Sequence, residues 1–106
     1  MITKRPFSMK FAPEVIEHLK RIDRKYHPLI RQEITGQLSF TPDLETRNRK
    51  PLNQPAPYEA VWELRIGNDN RFRVFYEIDI QQHEVWILAI GAKEGNRLFI
   101  GREEFE

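Results

Sequence analysis

Arginine and lysine side chains set at alternating positions along extended chain are the residues here best suited to chemistry. Arg65 and Arg73 stand in two runs of period-two alternation, Lys93 follows a third such run, and Arg47, Arg49 and Lys50 form a basic cluster ahead of them. Converging cations of this kind hold a phosphodiester and stabilise the negative charge that develops when a neighbouring ribose hydroxyl attacks it. Such chemistry needs no metal. No acid or base of obvious suitability accompanies the cations. The chain has no glycine-rich phosphate loop, no nucleophile elbow and no His-Glu-x-x-His pattern. His18, His27 and His83 share no ligand spacing, and with no cysteine there is neither a disulfide nor a thiolate metal site.

The elements that must position these cations are legible from periodicity. Apolar residues recur at every second position over 58–66, 71–80 and 84–91, which predicts three successive strands. Ala60, Trp62, Leu64 and Ile66 share one face of the first, with Glu59, Glu63 and Arg65 on the other. In the second, Phe72, Val74, Tyr76, Ile78 and Ile80 alternate with Arg71, Arg73, Phe75, Glu77 and Asp79. One face is therefore expected to be core and the other charged. The turn residues of 67–70 predict an antiparallel hairpin, and a five-residue loop sets Leu64 opposite Val74 and Arg65 opposite Arg73. Like charges directly across a ladder are unfavourable, so either a bound anion or the neighbouring Glu63 and Glu77 must offset them. The third run, apolar at every position from Val85 to Ile90, is expected to be buried on both faces.

Ahead of the meander, residues 7–11 alternate as a short first strand. Pro13 suits a first helical turn, and Val15, Ile16, Leu19, Ile22 and Tyr26 make an apolar stripe that predicts a helix up to the break at Pro28. A second helix then carries Ile30, Ile34 and Leu38, with Phe40 closing its apolar row and Gly36 read as a close-packing point. Residues 41–57 hold four prolines and no periodicity, so they are expected to be a connection whose 47–50 cluster is either solvated or in contact with phosphate. After the third strand, residues 98–100 are expected to form a short strand or turn. The acidic end, Glu103, Glu104 and Glu106, is expected to be exposed.

Length and charge bound the rest. A chain of 106 residues, 40% hydrophobic, fits one domain over residues 1–106. Residues 1–53 hold 11 Lys/Arg against 6 Asp/Glu and residues 54–106 hold 6 against 10, a polarity that suits a basic surface facing nucleic acid or an acidic partner. No stretch approaches a signal-peptide core or a membrane span, and a cytoplasmic location is expected.

Taken in order, Asn48-Arg49-Lys50-Pro51-Leu52, Glu63-Leu64-Arg65-Ile66, Phe72-Arg73-Val74-Phe75-Tyr76 and Ile90-Gly91-Ala92-Lys93 resemble the RelE/ParE superfamily of bacterial type II toxins. The resemblance implies an α+β fold, with an N-terminal strand and a two-helix hairpin packed on one face of a curved, mainly antiparallel sheet. For the RelE branch it implies a cofactor-free mRNA interferase working in the ribosome. Arg65 and Arg73 would then contact the scissile phosphate, Lys93 would stabilise its charge, and Arg47, Arg49, Lys50 and Arg97 would grip flanking RNA. Phe99 stands where a tyrosine often assists, and Val61 and Glu63 replace lysines of RelE. For the ParE branch the resemblance implies a non-catalytic inhibitor of DNA gyrase. A third possibility is a degenerate binding module without toxicity. In both branches a small antitoxin folds its C-terminal segment onto the toxin.

Overall fold

The expected meander forms, and it sits in a larger sheet. The computed structural model describes residues 4–105, so Glu106 lies outside the described residues. The elements are β1 (Ser8–Phe11), α1 (Glu14–Lys20), α2 (His27–Leu38), β2 (Arg49–Pro51), β3 (Trp62–Ile66), β4 (Phe72–Asp79), β5 (Glu84–Glu94), β6 (Arg97–Ile100) and β7 (Glu103–Phe105). Strands β2 to β7 follow one another in antiparallel order, while β1 pairs in parallel with β5. The two helices pack against one face of this open sheet, an α+β arrangement as expected. Leu64 lies opposite Val74 and Arg65 opposite Arg73, the register that a five-residue loop selects among those that match the apolar faces.

Strand β5 holds the sheet together. One of its edges pairs with β4; the other is shared, with β1 along residues 84–87 and with β6 along residues 91–94. Between those two partners the Ile90 N–H faces no strand, and it donates instead to Nδ1 of His18 at 3.2 Å. A buried N–H without an acceptor is costly, so the α1 side chain completes the strand edge. Leu88 is the extra residue of a bulge, because Phe75 pairs with Ala89 while Tyr76 pairs with Ile87. The bulge exchanges the face presented by β5 on its two sides.

The main core lies between helices and sheet. Val15, Ile22, Ile30, Ile34 and Leu38 meet Leu64, Ile66, Phe72, Val74, Tyr76, Val85, Ile87 and Ile90 there. The apolar row of α2 is as expected. That of α1 differs: Ile16 is 63% exposed while His18 is buried, so the stripe runs Val15, His18, Ile22. This helix also ends at Lys20, well short of Tyr26, because the His27 ring donates Nε2–H to the carbonyls of Leu19 and Ile22 and closes its end. Phe40 is 52% exposed and closes nothing. Gly36 has open space around the position of a Cβ, so close packing is not its role.

Three further expectations are corrected on the opposite face. Residues 58–61 are not strand: a turn at Pro57–Glu59, with Tyr58 at φ 56°, delays β3 to Trp62. Because the chain crosses the sheet edge there, Ala60 joins a second apolar cluster with Phe75, Ala89 and Ile100, bordered by Leu52, Tyr58, Leu98 and Phe105. The face expected to be charged is thus half apolar, and Phe75 is 1% exposed. The connection of residues 41–57 also contributes a strand, β2, although it has no periodicity to announce one.

Candidate functional site: a cationic patch beside the second cluster

The register places the candidate residues. Arg65 and Arg73 are direct partners, Gly91 lies beside Arg73, and Lys93 follows two residues on along the same face of β5. Lys50 is opposite Glu63, which puts its exposed side chain at the rim of this face. Arg47 precedes β2 on an exposed bend. Arg65, Arg73, Lys93 and Lys50 therefore share one surface.

Two of the expected residues do not. Arg49 pairs with Leu64, a core residue, and so faces the helices, where it is 7% exposed. Its Nη1 donates to the Gln37 carbonyl at 2.7 Å and to the Thr41 carbonyl at 2.5 Å, and its Nε to Thr46 Oγ1 at 3.3 Å. The guanidinium ties the last turn of α2 to the start of the connection, so Arg49 is buried on the face away from Arg65 and Arg73. Arg97 pairs with Glu94, one position out of phase with Lys93, and lies across the sheet from the patch with its Nε 3.7 Å from Glu104. Phe99, opposite Ala92, also faces the helix side, so the position expected to hold an assisting tyrosine is across the sheet from Arg73.

The group that decides what the patch can do is Glu63. Its carboxylate reaches Arg65 Nε at 2.8 Å and Arg73 Nη1 at 3.4 Å, with side-chain exposures of 9% for Glu63, 31% for Arg65 and 13% for Arg73. Arg73 Nε is also engaged, donating to the Asn70 carbonyl at 3.0 Å. Of the two ways to offset facing arginines, the chain uses its own carboxylate. Glu77, the other candidate, is exposed at the far end of β4 and opposite Trp86. The charge on the two arginines that Glu63 does not offset adds to that of Lys93 and Lys50, while Arg47 stands on the exposed bend before β2.

His18 and Tyr58 form a second polar pair, at the shared edge of β5. Since His18 Nδ1 accepts from Ile90, Nε2 carries the proton and donates to Tyr58 Oη at 3.1 Å. Burial holds the imidazole below its usual value of 6.5, against the opposing pull of Glu14 and Glu103. Burial, with Glu103 and Glu14, also raises the Tyr58 phenol, making it a poor proton donor and leaving the pair structural. The available signal for His18 was its spacing of three and four from Val15 and Ile22. Glu63 was legible as one of two neighbouring carboxylates able to offset the facing arginines.

The comparisons with known proteins agree with this architecture. A family model described as the ParE toxin of type II toxin–antitoxin systems, parDE, matches residues 9–96. Among solved structures, the RelBE2 toxin–antitoxin complex from Mycobacterium tuberculosis contains a chain similar in fold, at 20% identity and a TM-score of 0.65, covering 86% of this chain and 95% of that one. A comparison with curated proteins returns no match. The likeness in structure and the family match over most of the length lead to one conclusion: the chain belongs to the ParE toxin family of type II toxin–antitoxin systems, within the RelE/ParE superfamily.

Proposed function

We propose that this chain is a toxin that arrests growth by binding and blocking a protein target, DNA gyrase by likeness to the ParE branch, and that it does not cut RNA. One observation carries the reading: the arginines that a nuclease would aim at a scissile phosphate are both engaged by Glu63. A transition-state anion at that place would meet a carboxylate already in residence. The silencing partner in this reading is a small antitoxin with an acidic, amphipathic C-terminal segment. Its seat is the groove of about 250 Å³ between the helices, lined by Phe11, Val15, Ile16, Leu19, Ile30 and Ile34 with Arg31 at the rim. Lys20 and Arg24 continue the basic rim beyond Ile16. An Ile16→Asp variant should weaken neutralisation by the antitoxin without weakening toxicity.

The test is a supercoiling assay with purified protein, alongside induction in cells. Inhibited supercoiling with intact transcripts supports the reading; unchanged gyrase activity at saturating protein sinks it. A second reading, the ribosome-dependent mRNA interferase, is favoured by the convergence of Arg65, Arg73 and Lys93 on one face. Transcripts truncated within translated regions would select it, and an Arg73→Ala variant that stays fully toxic would remove Arg73 from either mechanism.

A further inference from the structure

Resting on the reading of a non-nuclease toxin, we infer that Glu63 is the specificity-determining residue of the cationic patch. It is an internal carboxylate seated where a backbone phosphate would enter, and it keeps single-stranded nucleic acid off this face. Its position favours that role over a merely structural one. Glu63 is the second residue of β3, with Lys50 directly opposite on β2, Arg65 two residues along the same face, and Arg73 on the diagonal. Both carboxylate oxygens are in use, one for each guanidinium. Without Glu63 those three side chains and Lys93 would form an uncompensated tetracationic surface, bordered by the apolar cluster of Phe75, Leu98 and Phe105, and such a surface binds single strands.

The seat is single. Arg65 and Arg73 both bridge to Glu63, which lies inside the sheet surface at 9% side-chain exposure; Arg65 is 31% exposed, while Arg73, at 13%, also has its Nε on the Asn70 carbonyl. An incoming phosphate therefore meets chiefly Arg65, Lys50 and Lys93, with the negative charge of Glu63 beside them. At a separation on the order of 5 Å and a surface dielectric between protein and water, that repulsion is worth about a factor of ten in affinity. The carboxylate leaves the patch free to meet a protein surface, where hydrogen-bonding geometry matters more than total charge.

The experiment measures binding of a fluorescein-labelled uridine octamer, by anisotropy across a salt series, to the native chain and to E63Q, E63T and E63D. Threonine suits a strand, so E63T serves as a second neutral variant if the glutamine disturbs the fold, and thermal melting confirms folding of each. The neutral variants should bind about tenfold tighter, with a salt slope steeper by about 0.7. E63D, which keeps the charge, should bind as weakly as the native chain, and adding R73Q to E63Q should return the affinity to the native level. Neutral variants that bind no better than native overturn the inference, as does a native chain that already binds the octamer tightly through Arg73. Gyrase inhibition in the same preparations reads the functional proposal separately, since a chain can fail to inhibit gyrase and still show the Glu63 effect.

Discussion

Replacing Arg49 with alanine should destabilise the protein by about 3–4 kcal/mol, from the loss of two charge-assisted bonds to buried carbonyls at about 1.5–2 kcal/mol each. The Thr46 bond, at 3.3 Å, adds little. The partners are what make this cost large. The Gln37 carbonyl belongs to the last turn of α2, where no intrahelical donor is available, and the Thr41 carbonyl lies at the base of the connection. The Gln37 carbonyl loses its donor when the guanidinium is removed from a site only 7% exposed, while the Thr41 carbonyl keeps the Leu44 N–H at 3.2 Å. For a domain of this size each kcal/mol moves the melting point by about 4–8 °C, so a fall of roughly 15–20 °C is expected. Arg49→Lys keeps the charge but offers one ammonium in place of a planar fork, and should recover about half of the loss. Urea unfolding with an unchanged m-value measures this directly. A variant Arg49→Ala within about 1 kcal/mol of native refutes the clamp. Folded Arg49→Ala should also show the native salt dependence toward nucleic acid, because Arg49 is on the wrong face to be felt.

His18 gives a pH signature. Its folded imidazole titrates below 6.5 and the unfolded one near it, so the unfolded chain binds more protons as the pH falls through 6.5. The stabilisation is complete above that value and declines below it, toward the folded titration point; unfolding midpoints should follow that slope, and His18→Gln should flatten it. Two glycines should respond with opposite signs. Gly36→Ala, in open helical space, should stabilise by about 0.5–1 kcal/mol in thermal unfolding. Gly91→Ala would bring a Cβ within 2.8 Å of the Phe99 carbonyl oxygen and should destabilise by about 1–3 kcal/mol.

What the sequence made legible was whatever periodicity encodes. The alternation in β3 and β4 restricted the register to pairings that match the apolar faces, and the five-residue loop selected Arg65 opposite Arg73 among them; the 3.6-residue row in α2 identified Ile30, Ile34 and Leu38. Long-range events were not legible. Arg49 sits in a basic run that reads as solvated or phosphate-facing, yet a three-residue strand, β2, turned it inward because Arg49 pairs with Leu64. Phe75 occupies a charged face by alternation, and it is buried there by Ala60 and the returning residues around it together with Ala89, Ile100, Leu98 and Phe105. The ending of α1 depended on His27, whose side chain bonds back five and eight residues to carbonyls that no local pattern marks. The family pattern supplied an expectation for the patch, and only the structure shows Glu63 bridging Arg65 and Arg73.

The shared edge of β5 also has a consequence for the order of folding. Strands β3 to β7 are joined by tight turns, so their pairing brings together residues already close in the chain. The pairing of Ser8 with Glu84 closes a loop of 76 residues (84 − 8) in a chain of 106. Such a contact carries the largest loop entropy and gains most when the meander is already formed, so β1 and α1 should dock last and open first. Until they do, residues 84–87 present a bare strand edge, and the Ile90 N–H still lacks its histidine. In amide exchange, protection along β5 should fail from its β1 side while the half paired with β6 still holds.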